Sequence, residues 1–158
     1  MSRTTLEKFY AAFARLDGDA MQACYADDAS FDDEAFSLAG RAQIGGMWRM
    51  LTETTKAKAR DAWKLEVSDI TDSSAHWEAH YRFTATGRKV HNIIEAEFQF
   101  QSGRILVHRD SFSFWRWSSQ ALGPSGLLLG WSPFLHNKVR ATARARLDKF
   151  IQAHPEYQ

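Results

Sequence analysis

Cysteine is almost absent from this chain, and its scarcity excludes several classes of structure. Cys24 is the only cysteine among 158 residues, so neither an intramolecular disulfide nor a metal cage of thiolates can form. Cys24 falls on the inward side of a predicted second helix, where a small buried core residue is expected. The chain is therefore expected to work in a reduced, cytoplasmic setting.

Long hydrophobic runs are lacking as well. The first residues, Met-Ser-Arg-Thr, do not have the apolar run of a signal peptide. The most apolar stretch, residues 127–131, is far too short to cross a bilayer. No membrane partner is expected from these features.

An excess of charge of either sign is also missing. Lys and Arg number 20 and Asp and Glu number 19, which gives a formal net charge of +1. A protein dedicated to nucleic acid or to anionic membranes normally carries a basic excess, so neither partner is expected. With 44% hydrophobic residues, the chain suits one folded globular domain.

What is present is a clear helical period near the start. Apolar residues spaced by threes and fours predict a first helix over about residues 4–16. A short second helix is predicted over residues 19–25, followed by a strand from Ala29 to Asp33. A third helix is predicted from Arg41 to about Thr55.

The period then changes to two, which predicts strands. Alternation is seen near residues 63–67, 76–83 and 92–100, and a long final strand is predicted from Ile105 to Trp117. Tight turns with glycine join the last three strands into an antiparallel meander. A Gly-Pro-Ser-Gly segment breaks the pattern before a last helix, which is predicted from about Ser132.

The segment from Tyr25 to Asp33 reads Tyr-Ala-Asp-Asp-Ala-Ser-Phe-Asp-Asp and is a candidate for chemistry. Its apolar alternation begins between the aspartates, so at least one carboxylate is expected to follow a strand into the interior. Desolvation raises the pKa of a carboxyl group and can make it a proton-transfer group near neutral pH.

This segment and the order of the elements resemble the nuclear transport factor 2-like superfamily, which includes ketosteroid isomerases and SnoaL-like polyketide cyclases. The resemblance covers about Leu6 to Trp117, and the hairpin from Tyr81 to Lys89 is also similar to that of the isomerases. It implies an α+β fold, a cone-shaped curved antiparallel sheet with N-terminal helices packed on its concave face. The chain is then one such domain over residues 1–158, in which 118–158 form a C-terminal loop and helix extension.

The resemblance also carries site positions over to this chain. Asp33 falls at the position of the isomerase general base. The oxyanion-hole tyrosine position falls on Phe9, and the oxyanion-hole aspartic acid position falls on Ala96. A shift of one residue along a strand turns a side chain to the opposite face, so Tyr10 and Glu95 do not substitute easily. Steroid isomerase activity is therefore not expected.

The predicted final strand supplies a second candidate pair. His108 and Asp110 share one strand face with Phe112 and Phe114. If this face points inward, the two polar groups enter a mostly apolar cavity and must bond to each other or to Asp33. A carboxylate that fixes an imidazole tautomer could shuttle a proton, whereas the alternative is a pair that only satisfies hydrogen bonds.

Aromatic and small apolar residues of the helices and strands are expected to form the wall for a flat, apolar ligand. The predicted ligand-binding residues are Phe9, Trp77, Tyr81, Phe83, Ala96, Phe98 and Phe112.

A set of histidines admits two interpretations. His76, Glu78 and His80 alternate on one strand face and, with His91, have a spacing able to hold Zn²⁺. The same alternation is typical of a half-exposed strand with cross-strand charge pairs, on a surface available for homodimer contact. The second interpretation is favoured, so no metal is expected.

The C-terminal segment is basic and rich in tryptophan. Arg140, Arg144 and Arg146 lie on the last predicted helix, opposite an apolar stripe, as in an ordinary surface helix. Three tryptophans flank the Gly/Pro segment and are expected to anchor the extension over the cavity mouth or a partner subunit, namely Trp115, Trp117 and Trp131.

Together these patterns favour a cofactor-independent enzyme, of isomerase, dehydratase or cyclase type, that acts on a small, largely apolar molecule. Asp33 is expected to abstract a proton, His108 to supply or remove a second one, and Asp110 to orient His108. The alternative is a non-catalytic module of the same fold that binds a small ligand or dimerises.

Overall fold

The computed structural model describes residues 2–157. Its helices are α1 (Ser2–Ala14), α2 (Gly18–Gln22), α3 (Arg41–Lys58), α4 (Phe114–Leu122), α5 (Pro124–Leu129) and α6 (Pro133–Ala153). Its strands are β1 (Tyr25–Asp32), β2 (Ser37–Ala39), β3 (Lys64–Ser68), β4 (Ser74–Phe83), β5 (Arg88–Gln101) and β6 (Arg104–Ser111). Single turns of 3₁₀-helix occur at Arg60–Ala62 and Pro155–Tyr157.

The six strands form one curved, unclosed sheet in the order β2-β1-β6-β5-β4-β3. The predicted meander of β4, β5 and β6 is confirmed, since these neighbours pair antiparallel. The sheet is not antiparallel throughout, because β1 pairs parallel with β6. Parallel neighbours need a long connection, and here the whole chain from β2 to β5 supplies it. The α+β class is confirmed.

The N-terminal helices cover one part of the sheet. Helix α1 buries Leu6, Phe9 and Phe13, as its spacing predicts, and α3 buries Met47 and Trp48 against them. Helix α1 lies across β3 and β6, whereas α3 packs on β1. The core therefore fills the space under α1 and α3, and the rest of that sheet face is left for the C-terminal helices.

The second helix is shorter than predicted. It ends at Gln22, so Cys24 lies after it, half-buried, and Tyr25 already belongs to β1. The Asp17 side chain caps this helix by accepting from the Ala20 amide at 3.0 Å. Strand β1 is longer than predicted at its start and ends at Asp32, which places Asp33 in the turn that follows.

The predicted final strand is wrong beyond residue 111. Strand β6 ends at Ser111, and the Ser113 side chain accepts from the Arg116 amide at 3.2 Å to cap α4. The apolar positions Phe114 and Trp117 fit a helical spacing of three as well as a loose alternation, so the period alone does not separate the two states. Helix α5 follows where only a break in the pattern was predicted.

The last helix is confirmed, and it is tied to the turn after β1. Arg140 donates from Nη1 to the Asp33 carbonyl oxygen at 3.0 Å and from Nη2 to Ser37 Oγ at 2.9 Å. His136 Nε2 lies 2.8 Å from the Glu34 carbonyl oxygen. Helix α6 is therefore held directly beside Asp33. Across residues 2–157, none of the helices combines the length and the apolar character that a membrane crossing requires.

Candidate functional site

A cavity of about 600 Å³ opens between the uncovered part of the sheet, α3 and the C-terminal helices. Its wall is mostly apolar. Four of the seven predicted wall residues line it, namely Trp77, Tyr81, Phe83 and Phe112. Asp33 and Asp110 are its acidic wall residues. A cavity of this size suits a small organic ligand.

Asp33 is held by the turn that follows β1. Its Oδ1 accepts from the Ala35 and Phe36 amides, each at 2.7 Å, while its own amide donates to the Phe36 carbonyl oxygen at 2.9 Å. Burial, and secondly the negative charge of Asp110, raise the pKa of Asp33 to about 7. The two amide bonds and Arg140 oppose this rise without cancelling it. Asp33 can therefore accept or release a proton at neutral pH.

Asp110 ends a buried chain of hydrogen bonds. Its Oδ1 lies 2.8 Å from His108 Nε2, and His108 Nδ1 lies 2.7 Å from the Tyr25 hydroxyl. The Trp48 indole N–H in turn donates to the Tyr25 oxygen at 3.0 Å. Burial raises the pKa of Tyr25 well above its usual range, so its hydroxyl keeps its proton.

This network defines the protonation pattern of His108. Because Tyr25 remains protonated and already accepts from Trp48, its O–H is left to donate to His108 Nδ1. The proton of a neutral imidazole then lies on Nε2, where it donates to the Asp110 carboxylate. His108 thus holds Asp110 in position with a hydrogen bond.

His108 itself does not reach the cavity. It is 1% exposed and is surrounded by the rings of Phe98, Phe31 and Phe9, with ring centroids 4.4, 4.8 and 5.7 Å away. The expected meeting of Asp33 and His108 in one hollow is therefore replaced by Asp33 and Asp110 at the cavity wall, with His108 behind Asp110. The helices α1 and α3 cover His108, which strand parity alone does not reveal.

Three of the predicted wall residues belong to the core. Phe9 of α1 and the β5 residues Ala96 and Phe98 are buried in the core and are not part of the cavity lining. Beside Phe9, the Tyr10 ring also points into the core, 6.4 Å from the Trp77 ring. Its hydroxyl has no hydrogen-bond partner among residues 2–157. Glu95, next to Ala96, is exposed, as the reversal of face predicts.

Several polar groups of the cavity wall were not among the predicted ligand-binding residues, and two of them lie beside the apolar wall. Asn92 is buried on the inward face of β5, and Trp117 reaches the cavity from α4. Trp117 Nε1 donates to the Tyr81 hydroxyl at 2.8 Å, and burial raises the pKa of Tyr81 to about 12. Asn92 had a signal, because it is the one polar residue in an apolar strand face. Trp117 is expected only as an anchor of the extension over the cavity mouth, and its hydrogen bond to Tyr81 depends on the unpredicted α4.

The histidine set forms hydrogen bonds with glutamates, both within β4 and between β4 and β5. His76 lies 3.0 Å from Glu78 and 2.5 Å from Glu95, and His91 lies 2.7 Å from Glu78. The hydrogen bonds to Glu78 and Glu95 raise the pKa of His76. His80 stacks on His91 with ring centroids 4.1 Å apart. Across the described residues, no group of three or more His, Cys, Asp or Glu is placed to hold a metal ion.

Comparison with known proteins agrees with this architecture. A model of the SnoaL-like domain family matches residues 6–108. A comparison with curated proteins found no match.

Three solved structures illustrate the likeness of fold. A proposed polyketide cyclase from Xanthomonas campestris is 22% identical, with 75% of this chain and 95% of that chain covered and a TM-score of 0.56. A Catenulispora acidiphila protein with a ketosteroid isomerase-like fold, in complex with trimethylamine, is 18% identical, with 82% and 97% covered and a TM-score of 0.56. An LEH-like epoxide hydrolase from M. tuberculosis is 18% identical, with 85% and 94% covered and a TM-score of 0.56. At these identities the likeness concerns the fold.

Proposed function

Because the chain belongs to the SnoaL-like domain family and has two aspartates at the wall of an apolar cavity, we propose that it is a cofactor-independent enzyme. It moves protons on a compact, largely apolar molecule that carries a carbonyl or hydroxyl group. The observation that carries the proposal is the position of Asp33 at the wall of that cavity, where two backbone amides bind its carboxyl group and burial raises its pKa to about 7. A general base works best when its pKa lies near the working pH.

Asp33 is the catalytic base in this proposal. Two backbone amides bind one of its carboxylate oxygens, which fixes the orientation of the group while the cavity side stays open to a ligand. Asp110 is the second proton-exchange group, because it shares the cavity wall. His108 and Tyr25 are positioning residues, which act through their hydrogen bonds on Asp110. The predicted roles of His108 and Asp110 are thus exchanged.

The substrate oxygen requires a hydrogen-bond donor when its carbon neighbour loses a proton. Asn92 and Tyr81 offer an amide and a hydroxyl at the cavity wall. The Tyr81 oxygen already accepts from Trp117, so its own O–H is left to donate to a ligand. Removal of a proton by Asp33 would leave an enolate, whose charge these donors would stabilise.

Isomerisation, dehydration and aldol-type cyclisation all fit this layout. Each needs a base that removes a proton from carbon and a group that returns one to carbon or oxygen. The likeness to structures described as a proposed polyketide cyclase and an epoxide hydrolase supports small-molecule chemistry in this cavity.

Proton exchange from carbon tests the proposal without knowledge of the substrate. The protein is incubated in D₂O with a panel of cyclic ketones and 1,3-diketones, and loss of the α-proton signal is followed by ¹H NMR. We expect catalysed exchange with part of the panel and a loss of about a hundredfold or more in Asp33→Asn. Asp32→Asn is the matched control, because Asp32 is adjacent but exposed.

Two results would contradict this function. Undiminished exchange in Asp33→Asn would remove Asp33 from the mechanism. Saturable binding of panel members with no exchange above the buffer rate would leave the non-catalytic ligand-binding module as the function of the cavity.

A further inference from the structure

Large apolar side chains are exposed along the segment from α4 to the start of α6. Of the exposed large hydrophobic residues of residues 2–157, all but Leu51 lie here. We call this set the α5 patch. It comprises Trp115, Leu127, Leu128, Leu129, Trp131 and Phe134, of which Trp131 is 74% exposed, Phe134 72% and Leu128 69%. Such clustering is characteristic of an interaction surface.

Both tryptophan indole N–H groups of the α5 patch donate within the patch itself. Trp115 Nε1 donates to the Leu127 carbonyl oxygen at 3.2 Å, and Trp131 Nε1 donates to the Leu128 carbonyl oxygen at 2.8 Å. Each indole N–H is thereby used locally. The surface can therefore enter an apolar medium without leaving these two donors unpaired.

The patch is continuous with the mouth of the cavity. Leu129 and Phe134 belong both to the patch and to the cavity lining, and Lys138 lines the cavity one turn further along α6. A partner seated on the patch would therefore lie at the entrance of an apolar chamber.

The charge is strongly segregated along the chain, and the patch lies in its basic segment. Residues 111–147 contain five Lys or Arg and no Asp or Glu, whereas the remaining residues contain 15 Lys or Arg and 19 Asp or Glu. The net charge of +1 thus conceals a segment of +5 and a remainder of −4. Arg116, Lys138 and Arg146 are exposed, and Arg144, also exposed, pairs with Asp148 at 3.0 Å just beyond the segment. The total charge alone predicted no membrane partner and could not reveal this division.

From exposure, continuity and charge together, we propose that the α5 patch docks the protein on an anionic lipid surface. Exposed Leu, Trp and Phe side chains flanked by Lys and Arg are the features of an interfacial membrane-binding element. A second copy fits less well, because a twofold contact would bring two segments of +5 together. A nucleic acid fits less well, because its phosphates do not match exposed leucines.

The proposal assigns a route to the cavity. With the patch in the interface, the cavity entrance faces the lipid, so an apolar molecule can pass from the bilayer into the cavity with little exposure to water. Docking itself is measured without a substrate, so its failure and the failure of the proposed reaction are separate results.

Vesicle binding tests the inference directly. The full chain is sedimented with vesicles of phosphatidylcholine alone and with vesicles of equal parts phosphatidylcholine and phosphatidylserine. We expect binding to the mixed vesicles that weakens as salt is added. Leu128→Ser combined with Trp131→Ser should lower the partition coefficient about tenfold or more. Leu51→Ser is the control for loss of an exposed apolar side chain, because Leu51 lies outside the patch although it also lines the cavity.

Substitutions that remove charge provide a second test, and they leave the apolar side chains of the α5 patch unchanged. Arg116→Gln with Lys138→Gln should weaken binding to the mixed vesicles by about fivefold per charge. Lys8→Gln with Arg104→Gln, also exposed but far along the chain from the patch, should have little effect. Melting temperatures check that every variant is folded.

Three outcomes would overturn the proposal. The wild-type chain fails to bind mixed vesicles at low salt, or the control variants weaken binding as much as the variants of the patch and of its flanking charges. Alternatively, sedimentation equilibrium shows a dimer that Leu128→Ser with Trp131→Ser converts to a monomer, in which case a second copy covers the patch.

Discussion

Asp33 is subject to opposing influences on its pKa, and their balance determines what the residue can do. Two amide donors and Arg140 favour the carboxylate, while burial and the charge of Asp110 favour the acid. The second pair prevails, so the folded protein holds a carboxyl group that is partly protonated at neutral pH. Such a group is useful for proton transfer. It also lowers the free energy of unfolding, because the folded state holds a charged carboxylate away from water.

Because the Asp33 carboxylate destabilises the folded state, Asp33→Asn should raise the free energy of unfolding by an amount that depends on pH. The pKa of Asp33 is about 7 when folded, against an ordinary value of 3.8. The folded state therefore binds more protons than the unfolded state between these values, and wild-type stability falls as pH rises through that window. Asn keeps the oxygen that accepts from the amides. Urea unfolding should show the variant more stable by on the order of 3 kcal/mol above pH ~8 and equal near pH ~4; equal stability at both pH values would contradict the shifted pKa.

The influence of Asp110 can be separated from that of burial. Its negative charge raises the pKa of Asp33, so Asp110→Asn should lower the midpoint of the Asp33 titration. The carboxyl ¹³C shift of Asp33, followed by NMR against pH, measures this midpoint. Asp32→Asn, which changes an exposed neighbour, should leave the midpoint where it is. An unchanged midpoint in Asp110→Asn would mean that the two carboxyl groups do not interact through the cavity.

Tyr25 forms two of the hydrogen bonds in the buried series that ends at Asp110. Tyr25→Phe removes the donor to His108 and leaves the Trp48 indole N–H without an acceptor. A buried unpaired donor costs about 1–3 kcal/mol, so urea unfolding should show a loss of that order. Tyr157→Phe, which removes a hydroxyl that pairs with Arg49 at 3.0 Å, is the comparison and should cost less, because Arg49 keeps its pair with Glu53. Equal losses of stability in Tyr25→Phe and Tyr157→Phe would mean that the buried hydrogen bonds of Tyr25 contribute no more than the bond between Tyr157 and Arg49.

At the scale of elements, the sequence predicts well where one period dominates. Strand β5 alternates without interruption, so its inward residues are correctly predicted, from Asn92 to Phe98. The end of β6 is different, because Phe112, Phe114 and Trp117 suit either period and only the cap at Ser113 decides. The parallel pairing of β1 with β6 joins residues about 80 positions apart, and no local pattern encodes it.

The same limit applies to the candidate site. Strand parity correctly turns His108 and Asp110 to one face, but the depth of each depends on which helix covers it. Phe9 and Trp48, from α1 and α3, enclose His108, whereas Asp110 lies beyond their reach and faces the cavity. Asp33 lies at the cavity wall, as the family resemblance implies, while its catalytic role stays a prediction.

The junction of α4 and α5 depends on close approach of two backbones. A Cβ at Gly126 would overlap the Ser118 carbonyl oxygen, which is backbone and cannot rotate away. Gly126→Ala should therefore separate the two helices and cost about 1–3 kcal/mol in thermal or urea unfolding. Ser125→Ala, at an exposed neighbour, is the control and should be nearly neutral. A neutral Gly126→Ala would show that α5 is free to move away from α4.

At the scale of the whole molecule, the chain consists of a SnoaL-like domain and a C-terminal extension that forms part of the cavity wall. The SnoaL-like match ends at residue 108, yet α4 and α6 supply Trp117, Leu135 and Val139 to the cavity. Arg140 links α6 to the turn that holds Asp33, so the same element closes the cavity and supports its base. The extension is therefore expected to fold together with the sheet rather than as a loose appendage.

A substitution at Leu147 tests whether the extension and the sheet unfold as one unit. It is fully buried on α6 and belongs to the same core as α1 and α3. Leu147→Ala leaves a cavity at the contact of α6 with this core and should cost about 2–5 kcal/mol, whereas Leu128→Ala, at a leucine that is 69% exposed, should cost within about 0.5 kcal/mol. If the molecule is one cooperative unit, tryptophan fluorescence and far-UV circular dichroism will report a single transition at a lower urea midpoint. Two separate transitions, with the second at the wild-type midpoint, would instead mean that the sheet stands without α6 and that the cavity wall is an independent attachment.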